Sequence, residues 1–355
     1  VDGFVYNGNP GRVIFGSGTV SRLGEEAEKL GASRVLVLST PEQAGQAQAI
    51  AGNLGKRFAG LYPNARMHTP TDVTADAMRL VETLGADAVV SIGGGSTTGL
   101  GKAIAFRTDL PQIVVPTTYA GSEATPILGE TENGRKVTKS DPRILPEVIL
   151  YDVELTMTLP VALSVTSGMN AIAHAVEALY AREANPIISL MAEEGIAALA
   201  RALPAIKTDP GDVTARSDAL YGAWLCGVCL GSVGMALHHK LCHTLGGMFN
   251  LPHAPMHTAV LPHAVAYNEA AAPVAMARLA KALGVTDVAE GLYDLAAGLG
   301  ASMALKDLGM PEDGVRPAVE QAMSNAYWNP RPLDREALET LIGRAYAGTR
   351  PGAGS

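Results

Sequence analysis

The chain changes character at Leu159-Pro160, and that change limits the architectures open to it. Before it, short β-branched runs recur at Val13–Phe15, Arg34–Ser39, Asp87–Ile92, Gln112–Val115 and Val148–Tyr151. Between most of them lie Ala- and Leu-rich stretches with helical spacing, at Ser17–Leu30, Glu42–Phe58 and Thr74–Leu84. Strand and helix in alternation predict a parallel sheet covered on both faces. From Val161 onward the spacing is helical almost throughout, punctuated by Pro186, Pro204, Pro210-Gly211, Pro252, Pro255 and Pro262, and no strand pattern remains. The expectation is an α/β domain over residues 1–160 and an all-helical domain over 161–355, and a length of 355 residues agrees with two domains. The Gly/Pro/Ser-rich tail Gly348–Ser355 is expected to fray.

Composition narrows the function. Hydrophobic residues make up 47% of the chain and charged residues 17%, enough to bury a sizeable core. Lys and Arg number 27 against 35 Asp and Glu, a formal charge of -8. A general nucleic-acid binder would need a basic face, whereas a small anionic ligand needs only a local group of donors. Three cysteines cannot form a disulfide framework, which fits a reducing compartment. Val1–Gly16 lacks a basic segment followed by an apolar run, so no signal peptide is expected there. Ala219–Leu237 is free of charge and close to the length of about 20 residues that spans a bilayer. It carries Gly222, Gly227, Gly231 and Gly234 and runs straight into His238-His239, which favours a buried, closely packed helix.

Two strand exits look like ligand sites. Ala88-Val89-Val90-Ser91-Ile92 has a buried-strand pattern, followed by Gly93-Gly94-Gly95-Ser96 and then by helical spacing over Thr97–Phe106. Glycines let a backbone approach a phosphate, and the N–H groups and dipole of the following helix favour negative charge. The segment is neither G-x-G-x-x-G nor a Walker A loop, because Lys102 lacks the required spacing, and a ligand-free tight turn is the plain alternative. The second exit is Val114-Val115-Pro116-Thr117-Thr118, followed by Tyr119-Ala120-Gly121-Ser122-Glu123. In an open parallel sheet both exits fall at the carboxyl edge, where ligands bind, and together they favour a nucleotide over an ordinary Ser/Thr cap.

Histidine is concentrated in the second half. His68 stands apart and His174 follows, while His238, His239, His243, His253, His257 and His263 lie close together. Histidine serves as metal ligand or as an acid near neutral pH. His239 and His243 share a helix face at i, i+4, and so do Asn170 and His174. An amide at Asn170 is a poor ligand without charge, so these residues alone do not argue for a tightly held cation. Cys226 and Cys229 form a C-x-x-C inside the apolar stretch, with Cys242 beside the histidines. No second C-x-x-C completes a zinc site, and small buried helix residues are the expected role.

Taken in order, several of these segments resemble the iron-containing alcohol dehydrogenase family. They are Gly93-Gly94-Gly95-Ser96, Pro116-Thr117-Thr118 with Gly121-Ser122-Glu123, Asp141-Pro142, and Asp152 to Pro160. They continue with Gly168-Met169-Asn170-Ala171, His174-Ala175-Val176-Glu177-Ala178, and His239, His243, Leu245-Gly246-Gly247 and Pro252-His253. The resemblance spans nearly the whole chain. It implies a dinucleotide-binding α/β domain, an all-helical domain and a cleft between them. Metal-dependent members hold a divalent ion with one Asp and three His, which match Asn170, His174, His239 and His253 here. Those members also tend to carry Asp and Ala where this chain has Gly99 and Gly101. Both departures are similar to the branch of the family that acts on maleylacetate, and they imply no catalytic metal. Many NAD-preferring relatives have an Asp after the second strand; here Ser39-Thr40-Pro41 stands there, with no carboxylate before Glu42. The expectation is therefore NADPH beside NADH.

The activity this implies is reduction of the conjugated C=C of maleylacetate to 3-oxoadipate in aromatic-compound catabolism, with chloromaleylacetates losing chloride after hydride addition. The glycine turn (Gly94, Gly95) and Ser96 would hold the pyrophosphate. Thr40, Thr117, Thr118, Ser122 and Lys136 would flank the ribose and nicotinamide, with Lys139 as the rival of Lys136. Asn170, His174, His239 and His253 would line the former metal pocket and bind substrate, protonated histidines helping with a dianion. His243 is the first choice of proton donor and Tyr119 the second. A cytoplasmic homodimer is implied, with no nucleic-acid or membrane partner. The alternatives are an iron- or zinc-dependent alcohol dehydrogenase, a dehydroquinate-synthase-like or glycerol-dehydrogenase-like enzyme with a full metal set, and a non-catalytic nucleotide-binding protein.

Overall fold

The computed structural model describes residues 4–6, 8–9, 11–132 and 135–352, the side chains at 135 and 136 excepted. The chain divides into two compact units, Gly8–Leu159 and the residues from Pro160 onward with the N-terminal segment.

The first unit is α/β. Its strands are β1 (Arg12–Gly16), β2 (Val35–Leu38), β3 (Phe58–Tyr62), β4 (Ala88–Gly93), β5 (Gln112–Pro116), β6 (Ile127–Glu132), β7 (Arg135–Ser140) and β8 (Val148–Asp152). Its helices are α1 (Leu23–Lys29), α2 (Ala44–Ala51), α3 (Thr71–Leu84) and α4 (Gly95–Thr108). Six strands form one sheet in the order β1-β8-β5-β4-β2-β3, every pairing parallel. Successive residues of a strand point to opposite faces, so a strand covered on both sides must be apolar throughout. Val35, Val37, Val90, Ile92 and Val115 pack with Leu23, Ala27 and Ile50 on one face. Leu36, Leu38 and Val89 pack with Val73, Ala77, Leu100 and Ile104 on the other. The chain runs outward from β2 to β3 and then returns past β2 to β4 and on to β5. That reversal opens a crevice at the carboxyl ends of β2 and β4, where open α/β sheets bind ligands.

Three segments differ from the sequence expectation. Glu42–Phe58 is not one helix: α2 ends at Ala51, and Gly52–Arg57 turns as a 3-10 segment through Gly55 at φ 55°. Phe58 then opens β3, whose Ala59 and Gly60 carry little strand propensity, and a Cβ at Gly60 would lie 2.7 Å from Leu84 Cδ1. The antiparallel ribbon β6–β7 is the other missed element, because its charged residues break any apolar alternation.

The second unit is all helical. It comprises α5 (Val161–Leu179), α6 (Pro186–Thr208), α7 (Val213–Ser232), α8 (Leu237–Phe249) and α9 (His253–Asn268). The last four are α10 (Pro273–Leu283), α11 (Val288–Gly298), α12 (Val315–Ser324) and α13 (Arg335–Ala347). Helix α5 is buried from Ser164 to Leu179 and forms its axis. The uncharged stretch falls in α7, which packs against α6 at backbone distance. A Cβ at Gly195 would lie 2.9 Å from Cys226 Sγ, and one at Gly222 2.9 Å from Gly195 O. Small residues there serve close helix packing. Helices α7 and α8 meet at 93°, and among the described residues no single helix is long and apolar enough to cross a membrane. Of the segment expected to fray, residues 348–350 are tied down: Thr349 N donates to Arg344 O at 3.1 Å, and Arg350 pairs with Glu290 and Asp294, while 353–355 lie outside the described residues.

Candidate active site

In the α/β unit, the carboxyl ends of β2, β4 and β5 gather small and hydroxylated residues. Gly93 sits at φ 151°, a region that strains side chains, and a Cβ there would lie 2.6 Å from Thr97 Oγ1 and 2.8 Å from Gln43 Oε1. Gly94 is extended, and its Cβ would lie 2.8 Å from Thr118 Cγ2. Thr97 N and Thr98 N donate to Gly94 O, so the helix begins with Gly95 and Ser96 presenting its first turn. Gln43, at the entry to α2, donates to Thr117 Oγ1 at 2.9 Å and so ties the β2 exit to the β5 exit. The sequence reading missed Gln43, since a lone Gln in a helical stretch gives no signal. Ser39, Thr97 and Ser122 carry buried hydroxyl oxygens with no hydrogen-bond partner. Unpaired buried hydroxyls beside a backbone cradle that side chains would fill suit a phosphate- and ribose-bearing ligand. The Glu42 carboxyl is held below its ordinary range by its own backbone N–H and the Thr40 hydroxyl.

Lys102 is a structural anchor rather than a phosphate ligand, and burial pulls its amine down to about 7. Its buried Nζ donates to Ser122 O, to Thr125 O at 2.8 Å and to Ile127 O at 3.0 Å, anchoring the segment that carries Ser122 to α4. Tyr119 is fully buried in this unit, and Lys139 is committed to Glu130 at 2.7 Å. The Lys136 backbone pairs with Thr131, but its side chain lies outside the described residues. Gly99 and Gly101 are sterically required: a Cβ at Gly99 would collide with Thr69 Oγ1 and one at Gly101 with Ser91 Oγ.

In the helical unit, Asn170, His174 and Glu177 lie at i, i+4 and i+7 on α5, facing α8 and the start of α9. The buried Glu177 carboxylate accepts from Ala236 N at 2.8 Å and His238 N at 2.6 Å, and so caps α8. It also binds His239 Nδ1 at 2.7 Å. A carboxylate only accepts, so Nδ1 carries the proton and His239 turns Nε2 toward its neighbours. His174 stacks 5.2 Å from His239, centroid to centroid, and His257 lies 5.2 Å from His239 and 4.2 Å from His253. Asn170 Oδ1, His174 Nδ1, His239 Nε2 and His257 Nε2 are buried without partners, which marks a place prepared for a polar guest. His243 Nδ1 bonds Tyr327 OH at 3.0 Å. The structure thus brings together Asn170, His174, His239, His243 and His253, and adds His257, Glu177 and Tyr327. His263 lies one and a half turns further along α9 and remains neutral, burial pulling it to about 4.

Of the histidines expected to meet the substrate, His174 is one whose charged form burial disfavours. Burial, reinforced by neighbouring imidazoles, pushes His174, His238 and His257 well below their ordinary value. Burial thus favours the neutral form at these three positions.

Two family models match the chain: iron-containing alcohol dehydrogenase over residues 10–153, and the C-terminal part of the Fe-containing alcohol dehydrogenase family over residues 164–346. The chain belongs to the iron-containing alcohol dehydrogenase family. It is 54% identical to a maleylacetate reductase of Burkholderia cepacia over 351 residues, covering 99% of this chain and 100% of that one. It is 57% identical to a maleylacetate reductase of Sphingobium indicum over 348 residues, covering 98% and 99%. The crystal structure of maleylacetate reductase from Agrobacterium tumefaciens superposes with a TM-score of 0.95 at 56% identity, covering 99% of this chain and all of that one.

The residues at the matched metal positions lack the carboxylate of the metal-dependent pattern. Asn170 offers a neutral amide and His174, His239 and His253 offer imidazoles, so the set carries no anionic ligand. The adjacent Glu177 has committed its oxygens to α8 and His239. A second group, His238, Cys242 and His257, places its ligand atoms within 4.8 Å of one another. It is buried and already internally bonded: His238 Nε2 lies 3.1 Å from His257 Nδ1 and 3.8 Å from Cys242 Sγ.

Proposed function

We propose that the chain catalyses NAD(P)H-dependent reduction of the conjugated C=C of maleylacetate to 3-oxoadipate, and that it does so without a catalytic metal. The observation that carries this reading is full-length identity of 54–57% to proteins named maleylacetate reductase. The neutral donor set around Asn170 supports the metal-free part. A conjugated ketone needs no cation to accept charge, because a hydride added to the alkene carbon remote from the ketone leaves a delocalised enolate that hydrogen bonds can hold.

Bound over the glycine turn, the nicotinamide coenzyme supplies the hydride. Gly94, Gly95 and Ser96 are proposed to receive its pyrophosphate, and Thr40, Thr117, Thr118, Ser122 and Lys136 the ribose and nicotinamide portions. Asn170, His174, His239 and His253 are proposed to receive the substrate. His243 then gives a proton to the enolate carbon, with Tyr119 as the second candidate, and the ketone is restored. One hydride and one proton are thereby added across the double bond. With the halogen at the hydride-accepting carbon, the enolate instead expels chloride as its electron pair re-forms the C=C, giving maleylacetate for a second reduction. A cytoplasmic homodimer, as the resemblance implies, belongs to the same proposal.

The test follows NADH and NADPH oxidation with maleylacetate, with and without a strong chelator, alongside elemental analysis. Turnover that survives chelation without stoichiometric metal supports the proposal. Activity that returns only with iron or zinc assigns the chain to the metal-dependent alcohol dehydrogenases instead. In the same assay, His239→Ala and His253→Ala should each lower kcat/KM well beyond threefold.

A further inference from the structure

The segment that links β5 to β6, residues 117–126, is held by buried polar side chains. Its backbone is bonded at both ends, with Thr117 N donating to Gly93 O at 3.1 Å and Pro126 O accepting from Asp141 N at 3.1 Å. Side chains hold its middle. Lys102 is 1% exposed, and its Nζ donates to Ser122 O, to Thr125 O at 2.8 Å, to Thr125 Oγ1 at 2.9 Å and to Ile127 O at 3.0 Å. Thr125 Oγ1 in turn donates to Ser122 O at 2.9 Å, which closes the bend. From β8, Tyr151 OH donates to the buried Glu123 Oε1 at 2.8 Å.

Lys102 lies on the helix that begins at the glycine turn. Gly95 and Lys102 stand at i and i+7 on α4 and share a face. The bend that Lys102 grips carries Ser122, whose buried Oγ has no hydrogen-bond partner and would lie 3.9 Å from a Cβ on Gly95. Thr118, on the same segment, would lie against a Cβ on Gly94, its Oγ1 at 3.1 Å. Residues 117–126 therefore form one wall of the glycine cradle, and Lys102 fixes that wall to the helix whose first turn forms the other. A segment that is ordered only when a ligand arrives weakens binding by the entropy it loses, and a segment ordered beforehand does not. An apolar side chain at 102 would leave the carbonyls of Ser122, Thr125 and Ile127 without this donor.

We propose that Lys102 is a positioning residue for the coenzyme: by gripping residues 122–127 it holds Ser122 over Gly95 before NADH or NADPH arrives, so that the pyrophosphate meets a formed cradle. This rests on the proposed placement of the coenzyme at the glycine turn. It deepens that placement, since it names a group that sets coenzyme affinity without touching the coenzyme. The effect of Lys102 belongs to coenzyme binding rather than to hydride transfer.

The test uses the full-length enzyme with Lys102→Met, Thr125→Val and Thr125→Ser, and Gly94→Ala for comparison. NADH affinity is measured by calorimetry without substrate, beside steady-state kinetics with maleylacetate and thermal melting. Lys102→Met keeps the length of the side chain without its donors, and should weaken NADH binding and raise the KM for NADH about 10- to 100-fold. Its kcat at saturating NADH and its KM for maleylacetate should stay within about threefold of wild type, a split that a general loss of stability would not give. Thr125→Val removes the bridging hydroxyl and should weaken NADH binding about three- to tenfold, and Thr125→Ser should restore it. NADH affinity within about twofold of wild type in Lys102→Met would overturn the assignment, whatever the change in Tm. Should Lys102→Met fail to fold, the Thr125 pair decides: loss in Thr125→Val with recovery in Thr125→Ser supports the positioning role, and equal affinity in both overturns it. Weaker NADH binding in Gly94→Ala alone removes the positioning role and leaves the coenzyme at the turn. Unchanged binding in Gly94→Ala, Lys102→Met and Thr125→Val removes the placement of the coenzyme as well.

Discussion

The difference between an amide and a carboxylate at position 170 decides how much charge the pocket can hold. Asn170 Oδ1 is buried and unpartnered, and His174 and His239 present further unpartnered nitrogens. Asn170→Asp would restore the missing anion among three imidazoles. The variant is expected to retain about one equivalent of zinc or iron after dialysis, where the wild type retains little, as elemental analysis reads directly. Equal metal content in both would mean that charge is not what the pocket lacks. Tyr327 poses a different question of the same pocket. Its hydroxyl engages His243 Nδ1 at 3.0 Å and so helps to fix the ring's orientation. Tyr327→Phe removes only that oxygen and is expected to lower kcat about three- to tenfold while leaving KM nearly unchanged. The 15N shifts of His243 should move toward a mixture of tautomers. An unaltered kcat with unaltered shifts would leave Tyr327 as packing alone.

Elements explain what the sequence could and could not convey. Buried parallel strands are legible because both faces must be apolar, as in Val35-Leu36-Val37-Leu38, and so is a glycine turn entering a helix. Strand β3 was illegible because position in the sheet, rather than the propensity of Ala59 and Gly60, makes it a strand. The histidines of the site could be read as a cluster along the chain. Glu177, Gln43 and Tyr327 could not, because each is defined by a contact across many residues: Glu177 reaches α8, Gln43 reaches Thr117, and Tyr327 reaches back to His243. The glycine turn also yields a prediction of its own. Gly94 has an ordinary backbone conformation, so Gly94→Ala strains no dihedral, but its methyl would lie 2.8 Å from Thr118 Cγ2 and displace that side chain. The variant is expected to fold with unchanged far-UV circular dichroism and to bind NADH at least about tenfold more weakly. Unchanged NADH affinity would separate the turn from the coenzyme.

The thiols report on the integrity of the whole fold. Cys226 and Cys229 lie on α7 and Cys242 on α8; all three are buried and none is in a disulfide. Burial pushes the Cys226 thiol well above its ordinary value and Cys229 up to about 12. Reaction with a disulfide reagent needs both access and thiolate, and the native interior supplies neither. Local fraying should not help, because Cys226 Sγ sits against Gly195 of α6 and Cys242 belongs to the core shared by α8, α9, α12 and α13. Exposing them requires separation of helices that together bury the unit's interior. At neutral pH the native enzyme is therefore expected to show no rapidly reacting thiol, and the fully denatured chain to show all three. Across a denaturant series, thiol reactivity should rise over the same range in which helical circular dichroism is lost. A thiol that reacts quickly while helicity and activity persist would reveal local opening around α7 or α8, and α8 is the helix that carries His239, Lys240 and His243.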